Sequence, residues 1–281
     1  MNTKAIRTKA QPYIIISYIL VVLFILAAVL PVVFTFMTSL KSNKEFYNNI
    51  YGLPQNVTWK NYQVAWTQGS IGTYFGTSIT VVSITVVITT ILGAFAGYAL
   101  AKMRIRHADL IILLLLGLNM LPSESVVMPL YIMLAKLKMT GRLISLIFPY
   151  ISWGLPMTIY IFRNFFSTIP SELLDAARID GCSELRAFRK VIMPLMLPPI
   201  ATTAILNFVG WWGELLWASI VMSASTVKTI PLGILAFQGQ FSTNWGALTA
   251  ATCIVLIPMI VFFSIAQKYF IRGLTEGAIK G

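Results

Sequence analysis

The chain has 281 residues, of which 57% are hydrophobic and only 11% are charged, and its formal net charge at pH 7 is +12. Soluble domains carry about a quarter charged residues, so this composition, with a mean hydropathy of +0.80, excludes an ordinary soluble protein and predicts a location in a lipid bilayer. The basic residues are spread between apolar runs and form no sustained stripe, which argues against nucleic acid as a partner. Cys182 and Cys253 are too few for a disulfide framework.

Six apolar runs are long enough, or nearly long enough, to cross a membrane as helices. A bilayer core of about 30 Å requires roughly 20 apolar helical residues, and lipid leaves unpaired backbone groups unsatisfied. The runs are Tyr13 to Leu40, Tyr74 to Ala101, Leu110 to Leu134, Leu143 to Phe162, Leu195 to Met222 and Trp245 to Phe270. The first run is too long for a secretory signal, whose apolar part has about 7 to 15 residues. The sequence therefore predicts an all-α, polytopic protein with six transmembrane helices.

The distribution of lysine and arginine predicts how these helices are oriented. If both termini are cytoplasmic, most of the 21 basic residues fall in the inner segments, as the positive-inside rule requires. We therefore expect a multi-pass protein of the cell membrane with both termini in the cytoplasm. Residues 1–72 would comprise the N-terminal tail, the first transmembrane helix and an extracytoplasmic segment. Residues 73–281 would hold the five other helices and a cytoplasmic C-terminal tail.

The third apolar run is interrupted by polar and proline residues. Pro122, Ser123, Glu124 and Ser125 stand inside it and Pro129 follows. Two interpretations remain open: a broken helix that lines a cavity, or a helix that ends and is followed by a short amphipathic helix outside the membrane. In the first case Asn119 and Glu124 are candidates for contact with a solute.

A polar segment between the fourth and fifth runs is patterned as two short helices. Ser171 can cap the first helix, Gly181 suits a left-handed turn, and Ser183 can cap a second helix that ends before Pro194. The first helix is expected to present one small, mostly apolar face formed by Leu173, Ala176, Ala177, Asp180 and Gly181. This pattern fits two uses equally: a hairpin that lies on the protein's own membrane helices, or a surface that docks a partner.

The same segment resembles the EAA loop of ABC importer permeases. It reads Asp175-Ala176-Ala177, three residues, Gly181, nine residues, and then Val191-Ile192-Met193-Pro194. Further likeness to the carbohydrate-importing branch of that family, which includes the inner-membrane subunits of maltose and related oligosaccharide transporters, extends over nearly the whole chain. It is carried by Ser39-Leu40-Lys41, Thr58 with Asn61-Tyr62, Pro129-Leu130-Tyr131, Ile179-Asp180-Gly181 and the stretch from Gln267 to Gly281.

The resemblance implies a permease subunit that forms the pathway for a carbohydrate delivered by an extracytoplasmic solute-binding protein. It implies a second permease subunit and two ATPase subunits as partners. The coupling loop, at about 163–194, would transmit their motion through Leu173, Asp175, Ala176, Ala177, Asp180, Gly181 and Pro194. No G-x-x-x-x-G-K-[S/T] loop is present, so ATP and Mg would be bound by the separate ATPase subunits. We expect no catalytic residue, cofactor or metal in this chain.

Polar and aromatic residues in the fifth run are candidates for the substrate pathway. Asn207, Trp211, Glu214 and Trp217 recur at helical spacing, and a carboxylate in a membrane helix normally faces a bundle interior or water. Sugars offer hydroxyl groups to polar residues and C–H faces to aromatic rings. Two alternatives remain: tryptophans at the membrane interface, and pairing of Glu214 with a partner subunit. Relatives commonly read W-N-E-F-L-W-P here, whereas this chain has Gly213 and Ala218 in place of the Asn and the Pro.

Other functions are weaker interpretations of the same sequence. A permease for a non-sugar solute such as a glycerophosphate is one alternative. An ion-coupled secondary transporter with Glu124 and Glu214 as proton sites is another, but that class usually carries two repeats and broken helices in matching positions, which the sequence does not indicate. An intramembrane enzyme is disfavoured because no histidine cluster, catalytic dyad or cofactor motif is present.

Overall fold

In the computed structural model of the chain, residues 4–170, 172–239 and 243–278 are described. These residues form helices and connecting segments, and the β-type pairing among them is an isolated bridge between Gln238 and Thr243. The all-α prediction is therefore confirmed for the described part of the chain. Two compact units are present: residues 1–71 with 234–255, and residues 72–233 with 256–281.

The first seven helices extend to Thr168. They are α1 (Lys4–Ser39), α2 (Asn43–Asn48), α3 (Lys60–Thr67), α4 (Ile71–Lys102), α5 (Ala108–Leu118), α6 (Ser123–Lys136) and α7 (Ile144–Thr168). The later helices are α8 (Glu172–Ile179), α9 (Glu184–Ala187), α10 (Met193–Leu195), α11 (Leu197–Trp212), α12 (Leu216–Val221), α13 (Ile230–Ile234) and α14 (Trp245–Ala278). A π-helical turn, Phe188–Ile192, joins α9 to α10, and a 3-10 turn, Leu235–Phe237, follows α13.

Four helices of the described residues are long and apolar enough to cross a membrane. They are Tyr13–Ser39 within α1, α4, α7 and Trp245–Lys268 within α14. A fifth span results if Phe188–Leu195 and Leu197–Trp212, which meet at 65°, are counted as one bent span. The six predicted spans are thus not confirmed, because two of the predicted runs are divided into shorter helices.

Both divisions occur at residues that disfavour a continuous helix. The third predicted run separates into α5 and α6 around Pro122, whose ψ of 124° is not helical, and proline at this point removes a backbone donor. The fifth run is divided between α11 and α12 by Gly213, Glu214 and Leu215. The prediction of one helical stripe through Glu214 is therefore wrong, since Glu214 lies in the interruption.

The extracytoplasmic segment predicted at residues 42–72 packs within the first unit. Asn61 Nδ2 donates to the carbonyl oxygens of Ser39 (2.8 Å) and Lys41 (2.7 Å). The Lys41 side chain is fully buried, and its Nζ donates to the carbonyl oxygens of Asn49 (2.7 Å) and Ile50 (3.0 Å), which follow the end of α2. These bonds fix the segment to the end of α1.

Candidate functional site

A cavity of about 520 Å³, here called the main cavity, lies within the second unit. Both interrupted helices contribute to its wall, and α7 completes it. The lining residues are Leu118, Asn119, Leu121, Val126, Val127, Ser152, Trp153, Pro156, Trp211, Glu214, Leu216 and Trp217. Irregular backbone at membrane depth is tolerated where it is buried in protein or lines a cavity, and the interruption between α5 and α6 has that position.

Aromatic side chains dominate one side of the main cavity. The rings of Tyr150 and Trp211 stack with centroids 4.7 Å apart and planes inclined by 7°. Trp153 lies 6.1 Å from Trp211 and meets Trp217 edge to face at 5.8 Å. The Trp217 indole is fixed because its Nε1 donates to the carbonyl oxygen of Ser145 at 2.9 Å. Rings held in this way present rigid apolar faces with few degrees of freedom to lose on binding.

Trp153, which lines the main cavity, and Tyr150, which stacks on Trp211, were not predicted as site residues from the sequence. They stand three residues apart on α7, so they share one face of that helix. Pro149 and Pro156 flank the pair within the same helix. The sequence carried a signal for this face. It places two aromatic residues one turn apart between two prolines of a predicted span, which indicates a non-lipid environment.

Glu214 accepts three hydrogen bonds from its own chain. Its Oε2 accepts from the Tyr150 hydroxyl (2.5 Å) and from the Ala218 backbone N–H (3.1 Å), and its Oε1 accepts from the Trp217 backbone N–H (2.7 Å). The carboxylate therefore caps the start of α12, where free N–H groups and the positive helix end favour an anion. Glu214 needs no residue of a partner subunit to satisfy it, and it joins α12 to α7.

Asn207 occupies a different position from the other predicted pathway residues of the fifth run. It is buried and does not line the main cavity, but it lines a second cavity of about 230 Å³. Its Nδ2 donates to Thr158 Oγ1 (3.0 Å) and to the Thr203 carbonyl (2.8 Å), and its Oδ1 accepts from Trp211 Nε1 (3.2 Å). Asn207 thus holds the indole of Trp211.

The two candidate pathway residues near the interruption between α5 and α6 lie in different environments. Asn119 follows the last residue of α5 and lines the main cavity. Glu124 lies in the first turn of α6, where its side chain is exposed, and it does not belong to the lining of that cavity. The structure therefore brings together Asn119, Trp211, Glu214 and Trp217, but not Glu124.

The predicted helix, turn and helix between the fourth and fifth runs are present as α8, α9 and the turn between them. Gly181 adopts a positive φ of 77°, and the Cys182 N–H bonds to the Ala177 carbonyl at 2.9 Å, which closes the helix end. Ser171, predicted as the first cap, lies outside the described residues. We call residues 172–195 the hairpin segment.

The second helix of the hairpin segment does not end before Pro194, contrary to prediction. It continues through the π-helical turn Phe188–Ile192, where the Met193 N–H bonds to the Phe188 carbonyl five residues earlier, and Pro194 lies inside α10. Proline lacks an N–H and its ring displaces the carbonyl of the residue four positions earlier. The wider π-helical turn immediately before Pro194 accommodates the missing hydrogen bond and the displaced carbonyl group.

The predicted small face of α8 is divided between two environments. Ala177 is 6% exposed and belongs to an apolar cluster with Phe162, Phe166, Phe188 and Ile192. The other side of α8 carries the exposed residues Asp175, Ala176 and Ile179, while Leu173 and Asp180, one turn from Ala177 on its own side, are exposed as well. Adjacent residues on a helix point about 100° apart, which places Ala176 and Ala177 on different sides. One side of the hairpin segment packs on the chain's own helices and the other remains open.

Comparison with known proteins identifies the family of this chain. Residues 89–276 match the family described as binding-protein-dependent transport system inner membrane component. The chain belongs to this family. The permease is therefore a membrane component of a transport system, in a family of transporters and not of enzymes.

Curated relatives cover the permease almost completely. It is 37% identical over 256 residues to the trehalose transport system permease protein SugB of Mycobacterium tuberculosis, covering 90% of this chain and 93% of that protein. It is 32% identical over 282 residues to the arabinooligosaccharides transport system permease protein AraQ of Halalkalibacterium halodurans, covering 98% and 100%. A chain of a bacterial ABC transporter involved in the import of the acidic polysaccharide alginate has the same fold, with a TM-score of 0.79, 21% identity and coverage of 93% and 98%.

The hairpin segment of the permease is attached to α4 and α7 by polar and apolar contacts. Lys102 Nζ at the end of α4 donates to the Ile169 carbonyl (2.5 Å), just before the hairpin segment. Arg163 of α7 pairs with Asp109 in the first turn of α5. Ile169 itself belongs to the apolar cluster around Ala177. These contacts connect the hairpin segment to α7, whose other half carries Trp153 of the main cavity.

Close contact between α7 and α11 requires glycine at position 154. A methyl group there would lie 2.1 Å from Asn207 Oδ1, so Gly154→Ala is expected to displace Asn207 and to lower the stability of the permease by about 1–3 kcal/mol. Gly210→Ala is the matched control, since a methyl group at Gly210 meets no atom within 4 Å. Thermal unfolding of both purified variants measures the difference. Equal melting temperatures would show that the contact at Gly154 is not tight.

Proposed function

We propose that this permease forms part of the translocation pathway for a neutral carbohydrate that an extracytoplasmic solute-binding protein delivers. The main cavity is the observation that carries the proposal. Its aromatic wall offers flat apolar faces for the C–H surfaces of sugar rings, and Asn119 and Ser152 offer hydrogen-bonding groups in the same cavity. Pathways of this kind combine apolar faces with a few polar groups that orient the solute.

The names of the relatives also support a carbohydrate as the transported solute. Two of them are named for the transport of sugars, trehalose and arabinooligosaccharides. An anionic solute such as a glycerophosphate is a weaker candidate, because the charged side chain in the lining of the main cavity is the carboxylate of Glu214. Like charges in a partly desolvated cavity repel strongly.

The remaining partners follow from the proposed role. A second permease subunit would complete the pathway, and two ATPase subunits, which bind ATP and Mg, would act on the open side of the hairpin segment. Exposed Ile179 on that side offers apolar contact area. The positive-inside distribution of basic residues supports a cytoplasmic location for this segment and for both termini.

An ion-coupled transporter remains the second candidate, because two interrupted helices meet at the main cavity. Broken helices at the binding site are typical of that class. Family membership favours an ATP-driven transporter over an ion-coupled one. The carboxylate of Glu214 already caps a helix.

The test is uptake by proteoliposomes that contain the complete importer. Trehalose, melibiose, an arabinotriose and glycerol 3-phosphate are offered with and without internal ATP. We expect ATP-dependent uptake of at least one of the sugars and none of glycerol 3-phosphate. Uptake that survives without ATP and collapses with a protonophore would contradict the proposal.

Replacing Trp153 by alanine tests the aromatic wall. Loss of one ring face costs on the order of 1 kcal/mol, so the uptake rate at low sugar concentration should fall about five- to tenfold. Trp66→Ala is the control, because Trp66 is 48% exposed on α3 and lies outside the main cavity. A wild-type rate in a well-expressed Trp153→Ala permease would argue against contact between solute and this wall.

A further inference from the structure

Trp211 stands at the boundary between the two cavities of the second unit. It lines the main cavity and also the second cavity, which is formed by residues of α7 and α11 that include Thr158, Thr203 and Gly210. Those α11 residues precede Trp211 in the chain, and α11 begins at the hairpin segment. The second cavity therefore continues from the main cavity toward the hairpin segment, and Trp211 separates the two.

Contacts with Tyr150, Trp153 and Asn207 hold the indole of Trp211 in this position. Its ring stacks on Tyr150 at 4.7 Å, and its Nε1 donates to Asn207 Oδ1 at 3.2 Å. Asn207 is itself fixed by Thr158 and by the Thr203 carbonyl. A stacked pair and a neutral hydrogen bond each contribute on the order of one kcal/mol. The ring therefore has a defined resting position, and thermal motion can displace it from that position.

Space for the displaced ring is present beside it. A methyl group at Gly210 or at Gly213 would meet no atom within 4 Å, and Gly210 lines the second cavity. α11 ends at Trp212, so the Trp211 backbone lies in the last turn before the interruption. The last turn of a helix lacks partners for its carbonyl groups and is less constrained than the interior.

We propose that the indole of Trp211 is a gate between the two cavities, and that a solute leaves the main cavity toward the hairpin segment by way of the second cavity. This rests on the proposed function of the main cavity as a solute pathway. In the resting position the ring closes the boundary. Movement of the ring toward Gly210 joins the cavities into one passage. Trp211 is thus a positioning residue whose removal opens the passage.

The gate is tested by the reactivity of a cysteine placed behind it. Thr203 is fully buried and lines the second cavity, so Thr203→Cys in a Cys182→Ala, Cys253→Ala background reports access to that cavity. Protoplasts that express the complete importer are treated from outside with the membrane-impermeant quaternary cation 2-(trimethylammonium)ethyl methanethiosulfonate. An open state of at most about 10% population predicts that Trp211→Ala raises the reaction rate about tenfold or more.

Two further variants define the route. Trp211→Phe keeps a ring but loses the bond to Asn207 and is expected to give a smaller increase. Gly210→Leu fills the second cavity and should return the rate in the Trp211→Ala background to the slow value. Gly76→Leu is its matched control, since Gly76 also has no atom within 4 Å of an added methyl group and lies on α4 outside both cavities.

The outcomes separate the gate from the proposed function. Ser152→Cys, which lines the main cavity, should react in every background. If Ser152→Cys reacts but Trp211→Ala leaves the rate at Thr203→Cys unchanged, the gate is overturned and the pathway proposal survives. If Ser152→Cys is unreactive, the main cavity is not reached from outside, and both proposals fail. A rate that Gly210→Leu does not lower overturns the route through the second cavity.

Discussion

Replacing Ala177 by arginine is expected to abolish the coupling of ATP hydrolysis to uptake and to destabilise the permease. Ala177 is buried against Phe166 and Phe188, so an arginine there has no room and no partner for its charge. Overpacking costs about 1–3 kcal/mol, and an unpaired buried charge adds several more. The hairpin segment would then separate from α4 and α7, and motion of the ATPase would no longer reach the main cavity.

Ala176→Arg is the matched control for this prediction. The side chain of Ala176 is exposed and lies about 100° around α8 from Ala177, so arginine there should leave the melting temperature within about 2 °C of the wild type, as for most surface substitutions. It should still weaken coupling, because it projects into the proposed ATPase surface. The measurements are thermal unfolding and ATPase activity stimulated by binding protein and sugar. Equal melting temperatures for the two arginine variants would refute the division of α8 into a packed and an open side.

Replacing Glu214 by alanine is expected to reduce uptake by more than tenfold. The change leaves the Trp217 and Ala218 N–H groups and the Tyr150 hydroxyl without their acceptor. Hydrogen bonds to a charged group contribute about 1.5–3 kcal/mol, and loss of a helix cap costs about 0.5–2 kcal/mol. The start of α12 would lose its orientation, and with it the position of Trp217 in the wall of the main cavity.

Two conservative variants distinguish a cap from a proton site. Glu214→Gln keeps one acceptor oxygen for the N–H groups of α12, so we expect it to retain part of the uptake, whereas an ion-coupled mechanism that uses this carboxylate would lose all of it. Tyr150→Phe removes one hydrogen bond but keeps the ring that stacks on Trp211, and should cost about 1 kcal/mol. Uptake by proteoliposomes and thermal unfolding measure both. Complete loss with Glu214→Gln in a stable permease would favour the proton site.

The hairpin segment illustrates how far local sequence signals reach. Gly181 predicted the left-handed turn because few other residues adopt a positive φ without strain, and the structure confirms it. The position of the second helix end was predicted wrongly, because Pro194 normally terminates a helix and the π-helical turn that accommodates it has no sequence signature. The pattern also could not tell which of Ala176 and Ala177 faces the protein.

The interruption at Glu214 shows a second limit. Glycine is tolerated in transmembrane helices, so Gly213 did not indicate that α11 ends beside it. Helical spacing relates Asn207, Trp211, Glu214 and Trp217 in the sequence only by coincidence. The chain in fact changes direction between them. Only the acceptor role of Glu214 toward Trp217 and Ala218 reveals that a new helix begins there.

The sequence by itself determined that this protein lies in a membrane, is helical, carries a helical hairpin between its fourth and fifth apolar runs and resembles the family to which it belongs. Composition, run length and turn chemistry are local properties, and they survive in any arrangement of the helices. Only the tertiary structure decided that two interrupted helices meet at one cavity, that Trp153 of α7 completes its wall and that Ala177 is buried. In a membrane helix the lipid-facing and protein-facing sides are both apolar, so hydrophobic pattern cannot separate them, and packing between helices decides which residues meet.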